Sequence, residues 1–357
     1  MSEPIQTVVI GFGLAGRVFH APFVSAVPGL HLYGIVQRKG DEAARAYPET
    51  CILRSVEEAL TEEAVQLIIV ATPNETHFDF AQQALEAGKN VVIDKPFAAT
   101  SEEARQLVDL SKQKNVILAP FHNRRWDGDF LTVRKLLDEQ AVDRLVTFES
   151  HFDRFRPLPR EGSWKEAESS ANGLLMDLGP HLVDQVLALF GVPEAITASV
   201  RKDRDNTAIE DAFDIALHYP GLMAFCRSSM LAADASPRFL LHGTRGSFKK
   251  FGLDPQEPAL VAGAKVPPMG MGDWLPEDQA NWGTLTVAPD SADPGTLTRT
   301  IIETEHGDYR SFYASVRDAI NGTAPLAVST EEGYRVVKLL EMARESSAVG
   351  RTLPVNF

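Results

Sequence analysis

Short apolar runs alternate with helix-period segments over the first third of the chain. The runs Thr7 to Ile10, Leu30 to Val36, Leu67 to Ala71, Val91 to Ile93 and Val116 to Ala119 are rich in β-branched residues and have the length of buried strands. Between them, Thr76 to Ala87 and Ser101 to Lys114 carry apolar residues at helical spacing and end at Gly88 or a basic residue. Parallel neighbours in a sheet need a crossover, so this alternation predicts βαβ units and a doubly wound parallel sheet. A boundary near Pro120 and Phe121 divides the chain into domains 1–121 and 122–357.

Beyond that boundary the period changes. A helix from about Asp129 to Glu139 precedes a strand from Arg144 to Phe152, and a second helix runs from about Gly173 to Phe190. Strand-like segments then follow without helices between them: Ala195 to Arg201, Ala212 to His218, Met223 to Met230, Phe239 to His242 and Gly246 to Phe251. The succession predicts an α+β domain whose large sheet is mainly antiparallel, with helices on one face. Asp254 to Pro294, rich in proline and glycine, reads as extended loops and a hairpin, and a final helix spans about Thr330 to Ser347.

A chain of 357 residues exceeds what one hydrophobic core usually serves, in keeping with two domains. The net charge of -14 argues against nucleic acid or an anionic membrane as partner, since the mean field repels phosphates. Cys51 and Cys226 are too few for a disulfide framework and lack metal-ligand spacing, so they read as packing residues in a reducing compartment. No apolar run approaches the roughly 18 residues needed to cross a bilayer, and Met1-Ser2-Glu3-Pro4 has no basic stretch ahead of an apolar one. A cytoplasmic protein without a metal is expected.

Chemistry enters at the ends of the predicted strands. Gly11-Phe12-Gly13-Leu14-Ala15-Gly16 is a GxGxxG pattern placed directly after the first strand. Gly11 permits the tight turn, Gly13 lets the backbone approach a pyrophosphate, and Gly16 lets helix and strand pack closely, while the helix N-terminus offers N–H groups to the anion. This marks residues 1–121 as a Rossmann domain. The second strand runs into Gln37, Arg38 and Lys39, with no carboxylate for the ribose 2′-OH of NAD; the cations suit a 2′-phosphate. NADP is therefore the preferred cofactor, with NAD as the alternative.

After the next strand come Thr72 and Pro73, where cofactor edges lie, and Asn74, a candidate cap for the following helix. His77 is either a further cofactor contact or an ordinary helix-start residue. Asp94-Lys95-Pro96 closes the run Val91-Val92-Ile93; proline keeps the preceding residue extended, so Lys95 is a cation held at a strand's carboxyl end. In the otherwise apolar segment Gly173 to Asp184, Asp177, His181 and Asp184 fall at i, i+4 and i+7, on one helical face. Three such groups must meet a polar cleft or satisfy one another. Pro180 either kinks that helix or opens it, leaving Asp177 just outside.

These elements together resemble the Gfo/Idh/MocA family of sugar and inositol oxidoreductases, in which the middle motif is usually Glu-Lys-Pro; Asp94 is a shorter acid in the same place. Three longer strings are similar to the branch that contains NADP-dependent scyllo-inositol dehydrogenases: Phe19-His20-Ala21-Pro22, the run Phe121 to Asp127, and the run His151 to Pro157. The resemblance covers nearly the whole chain. It implies a Rossmann domain followed by a domain with a mainly antiparallel sheet, dimers packed through the open sheet faces, and an active site between the domains. Lys95, Asp177 and His181 match the family's catalytic lysine, aspartate and histidine.

The expected reaction moves a hydride between a secondary alcohol of a sugar or cyclic polyol and the nicotinamide of NAD(P). Imidazole, with an ordinary pKa of about 6.5, suits His181 as general base. Lys95 would stabilise the developing alkoxide. Asp177 would either steady the imidazolium or hold a second substrate hydroxyl. Cofactor contacts are assigned to Gly11 through Gly16, Gln37, Arg38, Thr72, Pro73, Asn74, His77, Asp94, Lys95 and Asn123. Substrate contacts are assigned to Arg124, Asp153 and Trp164 together with the three catalytic residues, while Arg125, Arg154 and Arg156 can equally form ion pairs. Two competing readings are a non-catalytic dinucleotide sensor and a hydrolase that oxidises its sugar transiently. Retention of all three polar positions weighs against the sensor.

Overall fold

The computed structural model describes residues 3–160, 162–163, 166–169, 171–271, 274–288 and 295–357. The chain packs as two compact units. The first holds residues 1–123, 256–274 and 308–337; the second holds 124–255, 275–307 and 338–357. The chain thus crosses over between Asn123 and Arg124, and two later stretches belong with the first unit's core.

In the first unit six strands form one parallel sheet: β1 (Ile5–Ile10), β2 (Leu30–Val36), β3 (Cys51–Leu53), β4 (Leu67–Val70), β5 (Asn90–Ile93) and β6 (Leu118–Pro120), in the order β3-β2-β1-β4-β5-β6. Helices α1 (Ala21–Ala26), α2 (Glu42–Ala46), α3 (Val56–Thr61), α4 (His77–Glu86) and α5 (Ser101–Lys114) connect them. Both faces are covered. Val8, Ile68 and Val91 share a core with Ala81, Leu85, Leu107 and Val108, and Val9, Ile69 and Val92 on the opposite face are equally buried. Each such Ile or Val contributes roughly 1.5–3 kcal/mol through burial, which explains why these strands read as continuous apolar runs. The strand order reverses between β1 and β4, so the carboxyl ends of these two strands flank the switch point where open α/β sheets bind ligands. Helix α5 opens with a capping box in which Thr100 and Glu103 satisfy each other's N–H groups, and it ends on Asn115 in the left-handed region.

The short strand Cys51–Leu53 lies outside the predicted set, because three half-exposed residues carry no period. The second unit opens with α6 (Gly128–Asp138), β7 (Leu145–His151) and α7 (Leu174–Phe190). Strands β8 (Ala195–Arg201), β9 (Ala212–Tyr219), β10 (Leu222–Ser229), β11 (Phe239–Gly243) and β12 (Gly246–Lys250) follow. The proline- and glycine-rich stretch departs from expectation: it contains a helix, α8 (Gln256–Val261), in the first unit. Its strand β13 (Gly283–Val287) pairs with β14 (Thr298–Ile302).

Helix α9 (Arg310–Ile320) was not predicted, although Phe312, Tyr313 and Val316 bury one face of it. Helix α10 (Thr330–Val349) begins in the first unit and ends in the second, before β15 (Leu353–Pro354). The nine described strands β7 to β15 form one sheet in the order β14-β13-β12-β11-β7-β10-β9-β8-β15, antiparallel except where β10 meets β7. On β10, Ala224, Cys226 and Ser228 alternate inward, and α7 packs against β10 and β9. No helix among the described residues is long and apolar enough to cross a membrane.

Candidate active site

Every candidate group of the first unit stands at the carboxyl end of a strand. Gly11 follows β1 with φ +102°, a conformation that side chains rarely adopt, and a Cβ there would sit 2.5 Å from the Ala71 carbonyl oxygen. A Cβ on Gly16 would run into the Gly11 carbonyl. Both glycines are therefore demanded by the protein's own packing. Gly13 is different: a Cβ would meet nothing within 4 Å, so no neighbouring protein atom demands a glycine there. The Arg17 N–H closes a turn on the Gly13 carbonyl at 3.1 Å, and the first N–H groups of a helical stretch have no partner within it. Phe12 rests edge-on against Tyr47, Leu14 is exposed and Ala15 half-buried. This geometry fits a dinucleotide pyrophosphate.

The turn after β2 holds a feature that strand-end reading missed. The Gln37 amide donates to the Glu42 carboxylate and its oxygen accepts the Ala43 N–H at 2.9 Å. Glu42's own backbone and the Gln37 amide hold that carboxyl below the ordinary range. A carboxylate is thus present at the end of β2 after all, delivered from five residues downstream. Arg54 clasps the turn by donating to the Gln37 and Gly40 carbonyl oxygens, both at 2.9 Å. Arg38 and Lys39 are exposed and have no side-chain partner among the described residues.

After β4, Thr72 accepts from Thr76 at 2.7 Å, and Pro73 leads into a 3₁₀ turn over Asn74–Thr76. Asn74 does not cap α4; the capping position belongs to Thr76. His77 is buried, and its two ring nitrogens lie 2.8 Å from the Pro96 carbonyl and 2.9 Å from the Thr72 carbonyl. Carbonyls only accept, so a neutral ring satisfies one of them and an imidazolium both. Either way His77 is spent on main-chain oxygens. It ties the end of β4 to the segment after Lys95, as a brace.

Lys95 follows β5, with a cis bond to Pro96. The Asp94 carboxylate accepts the Lys95 backbone N–H at 2.8 Å and lies 3.8 Å from the buried His20 ring. Burial pushes the Asp94 carboxyl up, but His20, His77 and Lys95 outweigh it and hold it below the usual range. Asn123, also buried, ends this unit's first stretch.

The second unit carries the other groups. Helix α7 contains Pro180 in its interior, and Asp177 lies in its first turn, so the proline neither opens the helix nor excludes Asp177. Asp177 and His181 stand one turn apart, His181 buried and Asp177 half-buried. The Asp177 carboxylate accepts from the Arg154 guanidinium at 2.8 Å. Asp184, the third residue of the predicted face, forms a two-point pair with Arg125 at 2.9 and 2.7 Å, with both side chains buried. Asp184 and Arg125 therefore form a structural clamp.

Arg124 is buried, donates to Asp127 at 3.1 Å and lies over the Phe152 ring. Its carbonyl accepts from Gln185, whose own oxygen accepts from Arg238, so Arg124 is anchored on α7. Asp153 accepts the Ser229 N–H at 2.9 Å and lies 3.8 Å from His151. Burial raises its carboxyl, yet hydrogen bonds from His151, Ser236 and Ser229 bring it below the ordinary range. Trp164 lies outside the described residues. The contacts that sequence reasoning missed are Arg154 on Asp177, Glu42 on Gln37, and His20 with Tyr313 behind Asp94. Among the described residues, no group of three or more His, Cys, Asp or Glu is arranged to hold a metal ion.

Comparison with known proteins agrees with this geometry. Residues 5–122 match the model of an oxidoreductase family's NAD-binding Rossmann fold, and residues 134–357 match the C-terminal alpha/beta domain of the same family, Gfo/Idh/MocA. The chain is 38% identical to the uncharacterized oxidoreductase YdgJ of Escherichia coli, over 99% of each chain. It is 36% identical to the NADP(+) scyllo-inositol 2-dehydrogenase IolW of Bacillus subtilis, over 98% of this chain and 96% of that one. Among solved structures, an oxidoreductase from Bacillus cereus superposes with a TM-score of 0.88 at 31% identity, covering 99% of both chains.

Proposed function

Because the chain belongs to the Gfo/Idh/MocA family of oxidoreductases, we propose that it oxidises a secondary alcohol of a cyclic polyol or sugar, and reduces the corresponding ketone, with NADP as preferred cofactor. The observation that carries this reading is the pair Asp177 and His181, one turn apart on a helix that is mostly apolar and buried. When bound, the nicotinamide supplies the hydride acceptor or donor. What remains for the chain is to move the hydroxyl proton and steady the oxygen.

In this reading His181 takes the hydroxyl proton in oxidation and returns it in reduction, a role that contributes roughly 10²- to 10⁴-fold. Lys95, anchored through its own N–H to Asp94, directs its ammonium at the reacting oxygen and stabilises the charge that develops there. Asp177, paired with Arg154, accepts a hydrogen bond from a second hydroxyl of the substrate or from the His181 imidazolium. Arg124 and Asp153 are further substrate contacts. The unpartnered cations Arg38 and Lys39 support NADP, and the NADP-dependent relative supports both the cofactor and an inositol-type substrate. A homodimer packed through the second unit's open sheet face completes the proposal; size-exclusion chromatography with light scattering tests it.

The deciding experiment is a panel of inositol isomers and aldoses with NADP⁺ and NAD⁺, followed at 340 nm, with His181→Ala and Lys95→Ala beside the wild type. Turnover on a cyclic polyol, lost in both variants while NADPH still binds, is the expected result. Near wild-type turnover in either variant defeats that residue's role, and no turnover on any polyol or sugar defeats the substrate class.

A further inference from the structure

Beside Asp94, the residue before Lys95, lies a buried polar arrangement that the proposed reaction does not use. His20 comes from the helical stretch after the glycine loop, Asp94 from the end of β5 and Tyr313 from α9, all within the first unit. His20 and Tyr313 are both fully buried. His20 Nδ1 lies 2.5 Å from the Tyr313 hydroxyl, and Nε2 lies 3.8 Å from Asp94 Oδ2 with no hydrogen-bond partner. The surroundings are aromatic. Phe121 lies 4.5 Å from the His20 ring, Phe312 packs edge-on against both Phe121 and Tyr313, and Phe23 is stacked on Tyr313.

Two buried polar side chains in an aromatic nest are costly unless they are satisfied, and apolar residues would pack the same volume without that cost. Hydrogen-bond chemistry sets the direction of the relay. Burial first, and the Asp94 charge second, push the Tyr313 phenol far above its ordinary range, so it stays protonated and has a proton to donate. Among the described residues His20 Nδ1 is its one acceptor. If Tyr313 donates to Nδ1, the imidazole carries its own proton on Nε2, facing the Asp94 carboxylate. The opposite tautomer would turn a lone pair toward a carboxylate through a dry, weakly screened gap.

We propose that His20 and Tyr313 are positioning residues: Tyr313 fixes the tautomer of His20, and His20 holds the Asp94 carboxylate whose other oxygen anchors the Lys95 backbone. This rests on the reading of Lys95 as the oxygen-stabilising group. The remaining charged groups around Asp94 are His77, committed to two carbonyls, and Lys95 itself. Asp94 is thus fixed at one oxygen by the group it positions and at the other by the His20–Tyr313 relay.

The test combines a readout independent of activity with a turnover series. Long-range ¹H–¹⁵N spectra of the free protein report histidine tautomers; His20 is expected as the Nε2–H form in the wild type and altered in Tyr313→Phe, which keeps the ring's shape. With the best substrate of the inositol and aldose panel, Tyr313→Phe is expected to lower kcat about tenfold while NADPH affinity and KM stay within about twofold. His20→Gln, whose side-chain amide can donate to Asp94, should retain several times the kcat of His20→Leu. An Nδ1–H tautomer in the wild type, unchanged kcat in Tyr313→Phe, or equal kcat in the Gln and Leu variants overturns the proposal. Lys95→Met is the reference. If it is inactive while Tyr313→Phe is unimpaired, only the positioning role falls; if it keeps full turnover, the role of Lys95 falls and the positioning role with it.

Discussion

Arg154 reaches the Asp177 carboxylate at 2.8 Å, so the acid on the α7 face is already charge-paired before any substrate arrives. The pair is only partly shielded, with side-chain exposures of 22% and 23%, which limits its worth to stability but leaves it reachable by a ligand. Arg154→Ala is therefore expected to leave the melting temperature nearly unchanged and to lower kcat/KM on a polyol about tenfold, chiefly through KM. A loss of stability with unchanged kcat/KM would show the pair to be structural.

Asp184 provides the contrast on the same helix. Its two-point pair with Arg125 is buried, so Asp184→Asn leaves a guanidinium without its counter-charge, at a cost of about 3–5 kcal/mol. Denaturant unfolding should register that loss. At temperatures where the variant is folded, its KM should match the wild type.

The glycines separate by what surrounds them. Gly11→Ala forces a side chain into a positive-φ turn and against the Ala71 carbonyl, with an expected destabilisation of about 1–3 kcal/mol. Gly13→Ala meets no protein atom. It should fold with wild-type stability yet bind NADPH at least tenfold more weakly, by fluorescence titration, if the space over Gly13 is where the pyrophosphate lies.

The proposed preference for NADP is tested at two groups of opposite charge in the turn after β2, Arg38 and Glu42. Arg38→Ala should weaken NADPH about tenfold and leave NADH nearly unaffected, because only a 2′-phosphate uses the guanidinium. Glu42→Gln removes the carboxylate at the end of β2 and should raise the NADP-to-NAD ratio of kcat/KM several-fold. A ratio that moves toward NAD in Glu42→Gln would show that this carboxylate does not face the ribose.

Asp94 sets an acid limit. Its folded carboxyl lies below the ordinary aspartate range, so the unfolded chain binds the proton more readily. The stability this group contributes is fully present above the unfolded value and is lost as pH falls through the lower, folded one. Melting curves of wild type and Asp94→Asn should therefore differ most above about pH 5 and draw together as the pH falls below it. A gap that widens toward low pH would mean that the folded carboxyl is raised.

Most of the strands and long helices were legible because their signals are local. The run Val91-Val92-Ile93 is apolar because both faces of its sheet are covered, and α5 carries its own capping box. Helix α9 was legible in principle from Phe312, Tyr313 and Val316, whereas α8 lies in a segment whose prolines and glycines mask it. Pro180 could either kink the helix or open it, and it lies inside α7.

The chain's own order of residues determined a parallel-sheet nucleotide domain, a second domain with a mainly antiparallel sheet, and the identity of Lys95, Asp177 and His181 as candidates. All of these rest on periodicity or on motifs a few residues long. Partnership was decided by the tertiary structure alone. Arg154 meets Asp177 across 23 residues, Arg125 meets Asp184 across 59, and His20 meets Tyr313 across 293. Between residues so far apart in the chain, charge pairing and hydrogen bonding act over a few ångströms of space and leave no trace in sequence spacing. Which of two similar carboxylates is sealed in a buried clamp and which stays partly exposed is therefore decided only when strands and helices distant in the chain are brought together.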